Sequence, residues 1–327
     1  MTSADPLLVS RDGKIRLGPV PRAHGRAEAR IMDFASSCAR VIQSRMKPNR
    51  YSMMLSELNI LLYALFVTVL IVGSVSRMST ETTGVNVTAR DWPYRDLDTP
   101  LTGVLFRDKA MPGMRPGVLL VHGGAGLDEH ARQQARRYAT LGYIVLACDM
   151  FGDGVAGDRD RVIKCLTALR DNPALMVRRA QAALAELSSC SGMDGRVAAI
   201  GYCFGGLAVL TLARSGEPLA GAVSIHGSLA TSSPAQPGQV RARLLACHGA
   251  KDPHVPLADV TAFSEEMDRA GADWQLNMYG GALHGFTHAH AEPGAIPGVA
   301  YDRLADNRSF AATRSFLAEM FAGQTEG

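Results

Sequence analysis

Hydrophobic and polar positions fall into three regimes along the chain. Residues 1–57 mix them without a period, and Pro6, Pro19, Pro21 and Pro48 interrupt any long element, which predicts a mostly flexible segment. Leu58 to Ser76 then form 19 residues without a charge and with a dense aliphatic centre. At about 1.5 Å per residue a helix of that length just crosses a hydrocarbon core of about 30 Å, so one transmembrane helix is expected there. Residues 77–84 read as a linker, and from residue 85 to 323 short apolar runs alternate with helix-period stretches.

Within that third regime, Val87 to Arg95 and Leu101 to Arg107 predict an opening hairpin. Pro116 to His122 and Tyr143 to Asp149 predict buried strands, separated by a helix from His130 to Leu141 that stops at Gly142. Helical stretches between Arg161 and Leu187 break near Asn172 and Pro173. One further strand is expected to end with Val197 to Ile200 and others to lie at Ala220 to Ile225, Arg243 to Cys247 and Trp274 to Tyr279, with a helix after Pro256 and a last helix from about Asp306 to Phe321. Strands alternating with helices predict an α/β fold, a mostly parallel sheet flanked by helices, with functional groups at the carboxyl ends of the strands.

Charge sharpens the division at residue 57. The first 57 residues hold ten Lys/Arg against five Asp/Glu, leaving 24 against 26 in the remainder, so the large domain offers no basic surface for nucleic acid. Arg45, Lys47 and Arg50 precede the apolar span closely while only Arg77 follows at once, which places the N-terminus in the cytoplasm of a single-pass membrane protein. A start at Met78 is the competing expectation and gives a cytoplasmic protein without the span. The six cysteines show no CxxC pair or regular spacing, so reduced thiols are expected rather than a zinc site or a disulfide framework.

One of those thiols stands apart. Val197 to Ile200 end a strand, GxCxG follows with Cys203 at its centre, and Leu207 to Ala213 read as helix, a strand passing to a helix through one sharp turn with Gly201 and Gly205 two residues on either side of the apex. Small residues there let strand and helix pass closely, and the apex holds a strained, exposed nucleophile. A nucleophile needs a base, and the base needs an orienting group. Asp252, after the 243–247 strand, and His284, after the 274–279 strand, follow Cys203 in the order nucleophile, acid, histidine. The backbone N–H of Phe204 and one from the loop His122-Gly123-Gly124 are expected to form an oxyanion hole.

These motifs resemble the dienelactone hydrolase family. The resemblance is carried by VLLVHGGAGLDEH at 118–130, LGYIVLACDMFGDG at 141–154, GYCFGG at 201–206, HGAKDPHVP at 248–256 and YGGALHGFTH at 279–288. It implies an α/β-hydrolase fold and hydrolysis of esters or lactones, without cofactor or metal, by Cys203, Asp252 and His284, with Gly124 and Phe204 as oxyanion donors. His122 and His288 are expected to line the substrate site. Two departures stand out: Gly123 occupies the position of a family glutamate that helps to activate the cysteine, and His288 that of an arginine that holds a substrate carboxylate. They point to a small-molecule ester or lactone other than the dienelactone, with a membrane as partner only through residues 58–76.

Three other readings compete. His284, His288 and His290 could ligate a metal, but their spacing on a glycine-containing loop lacks an acidic ligand beside them. A glutaminase also uses a GxCxG elbow, yet it carries glutamate two residues after its histidine, where Phe286 stands here. A membrane-anchored binding protein on a catalytically inactive scaffold is the non-enzymatic alternative.

Overall fold

The computed structural model describes residues 7–9, 15–17, 86–291, 294 and 296–322. The apolar run 58–76, the linker 77–84 and most of the basic segment therefore lie outside the described residues. Among the described residues no helix is long and apolar enough to cross a membrane. The chain divides into two units, Met1–Glu81 and Thr82–Gly327. In the first, β1 (Leu7–Val9) pairs antiparallel with β2 (Ile15–Leu17).

The second unit opens with the expected hairpin, β3 (Val87–Asp96) and β4 (Thr99–Asp108), which pair antiparallel along their whole length. The strands that follow are β5 (Arg115–Val121), β6 (Ile144–Cys148), β7 (Met193–Tyr202), β8 (Gly221–Ile225), β9 (Arg243–Gly249) and β10 (Trp274–Tyr279). They join the hairpin in one eight-stranded sheet of order β10-β9-β8-β7-β5-β6-β4-β3. From β6 to β10 every pairing is parallel, while β4 joins β6 antiparallel. Strands buried on both faces read as continuous apolar runs, which is why β6 and β8 are buried throughout.

Alternate residues of each strand feed separate cores. Val118 and Leu120 of β5 pack with α1 (Glu129–Ala139) and α6 (Arg303–Phe321) on one face. Leu119 and Val121 pack on the other face, against α2 (Arg159–Asp171), α3 (Pro173–Ser189), α4 (Phe204–Arg214) and α5 (Leu257–Ala270). The result is a three-layer α/β/α arrangement, the layering that a parallel sheet requires.

Local chemistry sets the helix starts. Asp128, Asp158, Asn172 and Asp302 each turn a side-chain oxygen to N–H groups of a first turn. Asn172 caps α3 as Pro173 occupies its first position, so the expected interruption is a cap between two helices.

Order within the sheet positions the site. Strand β6 lies to one side of β5 and β7 to the other, so the chain reverses direction of travel at β5. The loops after β5 and β7 part there and leave a crevice at the carboxyl edge. His122, Cys203, His226, Asp252 and His284 all follow strand ends on that edge.

Candidate active site

Cys203 sits at the apex of the β7–α4 turn with φ +53° and ψ −115°, a backbone region that side chains rarely adopt. Its neighbours show why the turn closes. A Cβ on Gly201 would stand 1.9 Å from the Gly205 carbonyl oxygen, and one on Gly205 would stand 2.2 Å from that of Val121. Glycine at both positions is thus a steric requirement of this elbow.

The expected partners converge on Cys203. His284 Nε2 lies 3.1 Å from Cys203 Sγ, and His284 Nδ1 lies 2.7 Å from Asp252 Oδ2. The Asp252 side chain is buried, and its other oxygen accepts from the His254 backbone N–H at 2.8 Å, so both oxygens are engaged in one orientation. His284 is held through its main chain: its N–H donates to Gly298 O at 3.0 Å and its carbonyl accepts from Ala300 N at 3.2 Å.

Opposing effects act on the sulfur. Burial disfavours a thiolate, but the His284 hydrogen bond and charge, aided by N–H groups of Gly124 and Phe204, outweigh it and hold the Cys203 thiol below its ordinary value. For His284 burial likewise disfavours the charged form, yet Asp252 and Cys203 raise it to about 10. Both shifts favour a thiolate–imidazolium pair.

The N–H groups of Gly124 and Phe204 both act to favour the charged sulfur. Phe204 is the first residue of α4, whose N-terminal N–H groups lack intrahelical partners. His122 differs from expectation. It is fully buried and does not line a substrate site. Its Nδ1 lies 2.7 Å from Gly123 O, and its Nε2 accepts from Met150 N–H at 3.1 Å, which puts the proton on Nδ1. Because a trans peptide points its C=O and N–H in opposite directions, holding Gly123 O fixes the Gly124 N–H toward Cys203. A buried ring must satisfy its polar atoms within the protein, and His122 does so with one partner on its own loop and one on the loop after β6.

His288 does stand beside Cys203. A Cβ at Gly123 would lie 3.7 Å from Cys203 Cβ and 4.0 Å from His288 Nε2, so the imidazole borders the space that the absent side chain leaves. Its ring stacks on His130 with centroids 3.7 Å apart. Burial first, and the nearby His284 charge, depress the basicity of His288 although Asp128 works the other way. The balance favours the neutral ring. His290 is exposed, and among the described residues no three His, Cys, Asp or Glu side chains form a group that could hold a metal.

Sequence reading missed His226, Thr287 and His130. All three lie within one hydrogen-bonded network behind Cys203. Their only sequence signal is placement, His226 at the end of β8 and Thr287 three residues after His284.

Comparison with known proteins bears on this arrangement. The model of the Dienelactone hydrolase family matches residues 101–321. An uncharacterised protein of Caenorhabditis elegans is 36% identical over 148 residues, 44% of this chain and 93% of its own. A protein of Salmonella typhimurium named "Putative carboxymethylenebutenolidase" is 29% identical over 58% of this chain and 73% of its own. The solved structure of a dienelactone hydrolase-like promiscuous phosphotriesterase from metagenomic libraries is 38% identical, covers 72% of this chain and 99% of its own, and superimposes with a TM-score of 0.67.

Proposed function

This chain belongs to the dienelactone hydrolase family and is a hydrolase of ester or lactone bonds, and we propose that it cleaves them through Cys203, with His284 as base and Asp252 as its orienting group. The observation that carries the proposal is the continuous path from Asp252 Oδ2 through both ring nitrogens of His284 to Cys203 Sγ, at 2.7 and 3.1 Å. Asp252 fixes the tautomer and supports the charged imidazole. The thiolate attacks the acyl carbon, and the carbonyl π pair moves onto oxygen, where the N–H groups of Gly124 and Phe204 receive it. Collapse expels the alkoxide, which takes the His284 proton and leaves as alcohol, or as the freed hydroxyl of an opened ring. Water, deprotonated by His284, then attacks the thioester through the same oxyanion, and Cys203 leaves as thiolate with the carboxylic acid released.

The leaving group and the charge of the substrate follow from the same side chains. A thiolate is itself a good leaving group, so the tetrahedral intermediate partitions forward for alkoxides and backward for amines, which favours esters over peptides. Burial lowers the basicity of His288, which also has no guanidinium fork, so it is a weaker partner for a substrate carboxylate than an arginine at that position would be. The substrate is accordingly an uncharged ester or lactone. Residues 58–76 support anchoring of the domain by one span with a cytoplasmic N-terminus. Fractionation of the full chain against one starting at Met78 tests that reading.

The experiment for the chemistry is turnover of aryl esters, enol lactones and saturated lactones by the full chain. An aryl phosphotriester belongs in the panel, because the 38% identical solved structure is that of a promiscuous phosphotriesterase. Cys203→Ala is expected to lower kcat/KM at least about a thousandfold on every substrate cleaved. Folded Cys203→Ala with wild-type turnover would refute the nucleophile.

A further inference from the structure

The site has a second, buried line of support beneath the nucleophile. The backbone N–H of Cys203 is shared between Ile225 O at 3.0 Å and His226 Nδ1 at 3.2 Å. An acceptor Nδ1 on a neutral ring leaves the proton on Nε2, which lies 2.8 Å from Thr287 Oγ1 and donates to it. The Thr287 hydroxyl is then free to donate to His130 Nε2, 3.0 Å away.

The far end of the line independently fixes that direction. Gln134 Oε1 accepts from Arg137 at 3.0 Å and from the Tyr202 hydroxyl at 3.2 Å, so its amide nitrogen is the group that faces His130 Nε2 at 3.4 Å. That nitrogen can only donate, which makes His130 Nε2 an acceptor. The three links therefore run one way, from the Cys203 amide to α1.

His226 is an unusual place for a bulky side chain. It is fully buried and its backbone has φ +41°, in the left-handed region. The strain is held by the surroundings: its own N–H donates to Cys247 O at 2.8 Å, and its ring meets Phe286 edge-on with centroids 4.9 Å apart. Strain that persists at a site boundary commonly serves the site.

We propose that His226 is a positioning residue for the hydrolysis: through Cys203 N–H and Thr287 Oγ1 it locks the elbow apex to the loop that carries His284 and so aims the Phe204 N–H at the oxyanion. The dihedral ψ of Cys203 sets where the next N–H points, and the bond to His226 restrains that residue from its amino side. Thr287 lies three residues beyond His284, so the same imidazole registers nucleophile and base against each other. The ring packs edge-on against His284 with centroids 5.5 Å apart, and its two nitrogens bond to Cys203 N–H and Thr287 Oγ1. The inference rests on the reading of Cys203 as nucleophile.

A positioning role separates from a merely structural one in the split between kcat and KM and in rescue. His226→Leu, made in the full chain, is expected to lower kcat on an aryl ester roughly tenfold or more with KM changed less than about twofold, because alignment to the oxyanion matters only in the transition state. His226→Asn is expected to recover most of the loss, since asparagine tolerates positive φ and offers an acceptor oxygen near the Nδ1 position. Thr287→Val should lower kcat in the same sense, and Thr287→Ser should restore it. If His226→Leu does not fold, the Thr287 pair decides. A folded His226→Leu or Thr287→Val with wild-type kcat, or with a rise in KM alone, overturns the proposal. Cys203→Ala measured beside them keeps the two readings apart: turnover in that variant sinks the nucleophile, whereas an inert Cys203→Ala with unaffected His226→Leu sinks only the positioning role.

Discussion

At the scale of single residues, environment separates one thiol from the rest. Burial pushes the Cys247 thiol up to about 12 and raises Cys148 and Cys190 as well, with nothing comparable to His284 beside them. Cys203, by contrast, is lowered, by the hydrogen bond and charge of His284 first and then by the N–H groups of Gly124 and Phe204. Alkylation of Cys203 by iodoacetamide should therefore level off well below pH ~8.5, the ordinary range of a free cysteine. His284→Ala should move that midpoint upward, because burial then acts unopposed. A Cys203 midpoint that His284→Ala leaves in place would contradict the pairing. Cys203, Asp252 and His284 were legible in the sequence because an elbow with glycines on both sides is a local pattern and the chain order of its partners is a simple one. His226, Thr287 and His130 were not. Each is a polar residue whose partner lies on another strand end, and only the closed sheet brings those ends together.

Elements were easier to read than their ends. The strand expected from Arg243 to Cys247 continues to Gly249 because β10 pairs with it that far, Tyr279 opposite Gly249. The last helix begins at Arg303 rather than near Asp306, since Asp302 Oδ1 accepts from the N–H groups of Leu304 and Ala305 and caps it there. The first difference comes from a strand distant in sequence, the second from a cap only two and three residues away. The β7–α4 element makes a sharper claim. Its crossing leaves no room at Gly205, where main-chain oxygens of Val121 and His122 would lie 2.2 and 2.6 Å from a Cβ, whereas at Gly123 nothing comes closer than 3.6 Å. Gly205→Ala should cost more than about 3 kcal/mol, above the usual penalty of overpacking, because main-chain atoms cannot step aside. Gly123→Ala should cost less than about 1 kcal/mol, within the range of a tolerated substitution. Urea unfolding of the two variants measures the difference, and equal losses would mean that the elbow does not close as described.

For the domain as a whole, the same buried imidazoles link the site to stability. Burial holds His122, His130 and His226 below their ordinary value of 6.5, His130 to about 3. Below about pH 6.5 the unfolded chain takes up protons that these folded rings refuse, so their cost to the folded state appears as pH falls. His284 has the opposite sign. Raised to about 10, it adds stability that is full below 6.5 and is lost as pH rises through about 10. Thermal unfolding should therefore show a Tm that drops between about pH 6.5 and 4, and a smaller drop in His130→Gln. A Tm flat across that window would contradict the neutral, buried assignment. The layered architecture was legible from alternation alone, since continuous apolar runs between helices permit few arrangements. That the loops bearing His122, Cys203, His226, Asp252 and His284 gather at one crevice follows from strand order, which the sequence does not state.

The central claim is a covalent one, that Cys203 carries the acyl group between the two halves of the reaction. It is tested most directly by acid-quenching the enzyme during turnover of an aryl ester and mapping the added mass by peptide mass spectrometry. The account predicts one acyl increment on the peptide containing Cys203, lost on treatment with hydroxylamine as a thioester is and absent in Cys203→Ala. Steady turnover in a Cys203→Ala enzyme, or an acyl group on any other residue, would contradict it.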